Sequence, residues 1–172
     1  SFPFHNQSDA EEDIMERLAC AFLNCEKLQK HMRFLLNKGS LYKVYNNNLL
    51  YHGCVPLCED GSLKTVRIYG HEYKGKSLYE MLESYVRKGF YAIDAGERQR
   101  GRDMMWYIWL SENSPLFGKD KMATFERYFL AEKETHKEKK NPYYDFLEND
   151  KVVDRILKEF GLEHSFSHII NG

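Results

Sequence analysis

The sequence carries no surplus of either charge. Lys and Arg number 25 against 26 Asp and Glu, for a formal net charge of −1. A general binder of nucleic acid or of anionic membranes relies on a basic excess, so neither partner is expected. Long apolar runs are also missing. The longest, Met104 to Leu110, falls far short of the ~18–20 residues that a spanning helix requires. Ser1 to Glu12 is polar and acidic, so no signal peptide is expected there and a cytoplasmic location is. Cysteine is scarce, at Cys20, Cys25, Cys54 and Cys58. Cys54 and Cys58 have the spacing of half a zinc site, but no second close Cys/His pair follows. Free buried thiols in a reducing compartment are the simpler expectation. Internal repeats and low-complexity linkers are absent, and so are two dipeptides, Gly-Asp and Asn-His.

What is present suits a packed α/β domain. Hydrophobic residues make up 42% and aromatics 15% of the 172 residues, which excludes disorder for most of the length. Ser8 and Glu11 form a capping box for a helix with Ile14, Leu18, Ala21, Phe22 and Cys25 on its inner face. Asn24 breaks that helix and caps a second, which Lys38-Gly39 ends. Leu41 to Tyr45 and Leu49 to His52 read as two strands joined through Asn46-Asn47-Asn48, because Asn tolerates positive φ. A turn at Asp60-Gly61 precedes a short strand at Thr65 to Tyr69. A helix starts at Ser77 and Gly89 is expected to close it.

The next helix, from about Glu97 to Leu110, is apolar on every side in its second half, so it is expected to be buried or covered by another subunit. Asn141-Pro142 starts a short helix and Asp150 caps the last one, with Gly161 as its stop. Ser167 to Ile170 reads as a strand running into a turn at Asn171-Gly172. The expectation is one partial domain over residues 1–172, helix-rich, with a β-hairpin near 41–52.

His52 draws attention because an apolar strand ends on it and Gly53 follows. A neutral imidazole at the carboxyl end of a strand is a good metal ligand. Gly53 lets the backbone pass close to a metal or a phosphate. A core histidine bonded to a backbone carbonyl explains the same spacing.

Several blocks carry a likeness. Asn46 to Leu57 (NNNLLYHGCVPL), Ser114 to Met122 (SPLFGKDKM), Thr124 to Phe129 (TFERYF), Thr135 to Tyr144 (THKEKKNPYY) and His168 to Gly172 (HIING) resemble the bacterial class III fructose-1,6-bisphosphatases. That family is similar to the calcineurin-like metallophosphoesterases. The resemblance covers about Glu26 to the end, weakly near residues 92–102. One departure is Asn47, where glycine is expected in the turn.

The resemblance implies an α/β sandwich, hydrolysis of fructose 1,6-bisphosphate, and Mn2+ or a similar divalent metal in the full-length enzyme. It implies that His52 is a metal ligand. It also implies a second histidine ligand directly after a turn like Asn171-Gly172, and further ligands in motifs containing Gly-Asp and Gly-Asn-His. Neither motif occurs here, so the chain is expected to be a middle piece that is inactive and binds no metal by itself. Lys119, Lys121 and Arg127 are expected at the uncleaved phosphate, with Gly53, Asn171 and Gly172 near the site. Lys137, Lys139 and Lys140 read as a solvated face, and His136 and His168 as structural. A sugar bisphosphate substrate and a homo-oligomer are the expected partners. The competing reading is a non-enzymatic helical regulatory or oligomerisation module.

Overall fold

The computed structural model describes residues 8–163 and 167–171. The expectations placed on Gly172 lie outside them. The chain divides into two units, Ser1–Gly39 and Ser40–Gly172.

The first unit holds helices α1 (Asp9–Leu23) and α2 (Glu26–Lys38). The Glu11 carboxylate accepts the Ser8 N–H at 2.8 Å and the Ser8 hydroxyl at 2.9 Å, so α1 starts where the capping box places it. Those two bonds hold the Glu11 carboxyl below its usual range. Asn24 ends α1, and Cys25 rather than Asn24 is the N-cap of α2. The apolar stripe of α1 does not face inward as expected. Ile14, Leu18 and Phe22 are exposed, and neither helix contains a buried residue. A helical stripe is enclosed only by a further packed layer.

The second unit is mixed α/β. Strand β1 (Tyr42–Tyr45) pairs antiparallel with β2 (Asn48–Tyr51), Tyr45 opposite Asn48. That register leaves a two-residue turn. Asn46 and Asn47 take φ of 48° and 58°, the backbone a type I′ hairpin demands. Asn47 therefore does the work of the glycine expected there. Strand β5 (His168–Asn171) adds parallel to β2, from Asn48 opposite His168 to Tyr51 opposite Asn171. The sheet order is β1-β2-β5, so β2 is central. Its Leu49 and Tyr51 are buried. Strands β3 (Val66–Ile68) and β4 (His71–Tyr73) form a separate hairpin around Tyr69-Gly70. β4 was not legible as a strand, because His-Glu-Tyr carries no apolar alternation.

Helix α3 (Gly75–Tyr91) begins before Ser77. The side chain of Glu159 lies against Gly75 and accepts from the Lys76 N–H at 3.2 Å, an acid at a helix start. Helix α4 (Ala95–Leu110) is capped by Asp94, which accepts from the Glu97 N–H. Gly89 does not close α3. It sits inside the helix, where its backbone meets that of Gly101 in α4. Within the apolar half of α4 only one side is enclosed. Met104 and Ile108 are buried, whereas Trp106 and Trp109 are 67% and 68% exposed.

Helices α5 (Thr124–Phe129) and α6 (Asp150–Glu159) follow. Asn149, not Asp150, caps α6, accepting from the Val152 N–H. One core cluster surrounds β2 and takes in Tyr79, Tyr143, Ile156 and Leu157. The other lies between α3, α4 and β3. Among the described residues the unit has a mixed α/β architecture with two small sheets. No helix among them is long and apolar enough to cross a membrane.

Candidate functional site

His52 stands directly beyond β2 and is exposed, so it is not a core histidine. Its imidazole meets no hydrogen-bond partner among the described residues. The backbone around it is tightly held. The Cys54 N–H donates to the Pro115 carbonyl at 2.7 Å, and the Tyr79 hydroxyl donates to the Cys54 carbonyl at 2.9 Å. The Leu57 N–H donates to Asn141 Oδ1 at 3.1 Å. Residues 53–57 are all buried. An exposed ring thus springs from a rigid base, which is how a ligand is held in one place before anything binds.

Gly53 has a structural reason of its own. Its φ is +87°, and a Cβ there would overlap the Pro115 carbonyl oxygen and lie 3.0 Å from Leu116 Cα. The glycine admits the loop that follows α4. Cys54 is buried and its thiol is pushed up to about 12 by that burial, so it stays a neutral, inert thiol. Cys20 and Cys25 are exposed rather than buried, and all four thiols are free.

The basic residues gather elsewhere. Lys119 Nζ lies 2.7 Å from Glu138 Oε2, and Arg127 Nη2 lies 3.6 Å from Glu138 Oε1. Lys121 Nζ donates to the Thr135 carbonyl at 2.7 Å. Glu138 also accepts the Ala123 N–H at 2.8 Å. His136 Nε2 donates to the Leu130 carbonyl at 3.0 Å. Segments 114–123 and 134–141 are laced together, since the Asp120 N–H donates to the Lys139 carbonyl, the Lys139 N–H donates to the Asp120 carboxylate and the Asn141 N–H donates to the Gly118 carbonyl. Lys139 pairs with Glu59. His52 borders a different depression, with Leu50, Leu116 and Ile170. The structure therefore unites Lys119 and Arg127 on one carboxylate and does not place them in the hollow beside His52. His168 is exposed at the start of β5.

In the sequence Glu138 sits among Lys137, Lys139 and Lys140, and such a mixed run reads as a solvated face. The Lys119 bond, then the Ala123 N–H, hold its carboxyl below the usual glutamate value. A depressed carboxylate stabilises the fold above its unfolded value of about 4.3, and the contribution disappears as pH falls through the folded value. Limited proteolysis should therefore find segment 119–140 protected at pH 7 and opened as pH drops below about 4. Glu138→Gln should open it at pH 7. Equal protection in the variant at pH 7 would remove Glu138 as the organiser.

Among the described residues no group of three or more His, Cys, Asp and Glu side chains is placed to hold a metal ion. His52 offers one nitrogen, and stable sites for divalent ions use four or more ligands.

The model of the Firmicute fructose-1,6-bisphosphatase family matches residues 4–172. The chain belongs to that family. The match reaches back through α1 and α2, beyond the start of the motif likeness at Glu26. Among curated relatives, the class 3 fructose-1,6-bisphosphatase of Clostridium botulinum (strain 657 / Type Ba4) is 53% identical over 166 residues, covering 96% of this chain and 25% of the relative. The class 3 fructose-1,6-bisphosphatase of Clostridioides difficile (strain 630) is 55% identical over 163 residues, covering 94% and 25%. That of Clostridium novyi (strain NT) is 52% identical over 166 residues, covering 96% and 25%. The chain thus spans about a quarter of the length of these fructose-1,6-bisphosphatases. No solved structure matches it.

Proposed function

We propose that this chain is one part of a metal-dependent phosphatase that hydrolyses fructose 1,6-bisphosphate to fructose 6-phosphate and phosphate, in sugar synthesis in the bacterial cytoplasm. The observation that carries the reading is His52, exposed on a pinned base at the carboxyl end of β2, in a chain 53% identical to class 3 fructose-1,6-bisphosphatases. In this reading the whole enzyme is a metallophosphoesterase-type α/β sandwich. The chain supplies His52 to a centre for Mn2+ or a similar divalent ion, and the other donors come from residues outside it. Gly53 and Asn171 shape the neighbourhood, with Gly172 after them. Lys119, Lys121 and Arg127 hold the phosphate that is not cleaved, for which Lys119 and Arg127 exchange Glu138 for the ligand. The exposed Trp106 and Trp109 favour a homo-oligomer in which a second copy covers α4.

The test is phosphate release from fructose 1,6-bisphosphate with added Mn2+, comparing this chain with a version extended at both ends. Activity is expected only in the extended chain. His52→Ala should lower it by at least about 100-fold, since even the residues behind metal ligands are worth 10–100-fold. Activity in the short chain would sink the divided-site reading. An inactive extended chain would favour the non-enzymatic helical module instead.

A further inference from the structure

A pair of buried tyrosines behind His52 has no part in the proposal so far. Tyr51, the last residue of β2, and Tyr143 are 6% and 3% exposed. Their hydroxyl oxygens are 2.7 Å apart, and Asn171 Nδ2 donates to the Tyr143 hydroxyl at 3.4 Å. Phenylalanine would fill the same space without burying two hydroxyls, which cost free energy unless they are bonded. The two hydroxyls satisfy each other, and that of Tyr143 also accepts from Asn171. Burial pushes both phenols up, so they remain neutral donors and acceptors.

The placement of the three residues gives the pair a purpose. Tyr51 and Asn171 face each other across the parallel β2/β5 ladder, at the last position of both strands. His52 is the next residue after one of them. Tyr143 reaches the pair from a distant segment that is itself anchored. Asn141 Oδ1 accepts from the Tyr143 N–H at 3.0 Å and from the Leu57 N–H at 3.1 Å. One asparagine therefore ties Tyr143 to the segment that follows His52. We infer that Tyr51, Tyr143 and Asn171 form a hydrogen-bonded clasp that fixes the carboxyl ends of β2 and β5 side by side and so positions His52. Asn171 turns its amide toward the core, and its role is positioning rather than ligation. The link to His52 rests on the proposed metal role of that residue; the clasp itself does not.

Two measurements test this on Tyr143→Phe, with Tyr51→Phe as a second variant should the first fail to fold. The first is amide hydrogen exchange in the 172-residue chain. Exchange of Ile169 to Asn171 should speed up about tenfold while α6 and β1 keep their rates. The second is Mn2+ affinity of the extended enzyme, with kcat and KM for fructose 1,6-bisphosphate. Affinity should weaken about tenfold and kcat fall, with KM unchanged, as for other groups that orient ligands. Unchanged exchange in β5 overturns the clasp. Faster exchange with unchanged Mn2+ affinity overturns the positioning role. Unchanged Mn2+ affinity in His52→Ala instead overturns the metal role of His52, and with it the link from the clasp to the site.

Discussion

Gly101→Ala should destabilise the second unit by about 2–4 kcal/mol, although it places a better helix former inside a helix. The added Cβ would overlap the backbone N and Cα of Gly89 and lie 2.5 Å from the Tyr85 carbonyl oxygen. Every one of those atoms is backbone, so no side chain can rotate away. The helices must separate by roughly 1 Å to restore ordinary van der Waals distances. Such a gap forfeits a quarter to a half of each contact it crosses. The contacts at stake lie in the core cluster that Leu78, Met81 and Leu82 of α3 and Met104 and Ile108 of α4 form with Val66 and Ile68. The gain in helix propensity, about 1 kcal/mol, offsets only part of this. Urea denaturation of the 172-residue chain reads the net effect. A loss of ~3 kcal/mol corresponds to a fall of roughly 6–12 °C in Tm. Gly96→Ala is the control. It lies in the first turn of α4, where the nearest atom to an added Cβ is Asp94 Oδ1 at 3.2 Å. It should be neutral or stabilising by up to about 1 kcal/mol. Equal stabilities for Gly101→Ala and its parent would mean that α3 and α4 do not cross closely.

Gly89 shows where sequence reasoning reached its limit. A glycine near the end of an apolar-periodic stretch reads as a stop, because glycine commonly follows helix ends. The same residue serves equally where two helices touch backbone to backbone, and only the partner helix distinguishes the two. Local signals fared better. The Ser8 box, the Asn46-Asn47 turn and Asn141-Pro142 each depend on neighbours within a few residues, and each appears where the sequence placed it. The partners of Glu138 and of Tyr143 do not obey any such spacing. Lys119 is 19 residues from Glu138, and Tyr51 is 92 residues from Tyr143. Periodicity is blind to pairs of that kind. It is equally blind to whether an apolar helix face finds cover. The exposed stripe of α1 and the exposed Trp106 of α4 have the pattern of buried faces and lack the layer that would bury them. His52 was legible as a strand-end histidine. The pinned loop that makes it a rigid one was not, since Pro115, Tyr79 and Asn141 reach it only through the fold.

That rigidity makes Gly53→Ala the more informative change. Two costs meet at this position. The first is backbone: φ is +87°, where an L side chain crowds its own carbonyl at about 1–2 kcal/mol. The second is overlap with the Pro115 carbonyl oxygen, which accepts the buried Cys54 N–H. Relief requires one side to move, and both are tied. Ser114 is fully buried, its hydroxyl donating to the Ile108 carbonyl at 2.6 Å and accepting from the Leu116 N–H at 3.2 Å, so the loop is fastened to α4. On the other side the Tyr79 hydroxyl and Asn141 hold Cys54 and Leu57. The weakest link is the Cys54–Pro115 bond, and breaking it orphans a buried N–H at about 1–3 kcal/mol. The sum is ~2–5 kcal/mol, measured by urea denaturation. Gly70→Ala separates the two costs. Its φ is +82° and nothing lies within 4 Å of an added Cβ, so it should cost only the backbone part, about 1–2 kcal/mol. The excess of Gly53 over Gly70 then measures how firmly the His52 base is clamped to the loop after α4. With no excess, the loop after α4 would not crowd position 53, and only the positive φ would call for glycine there.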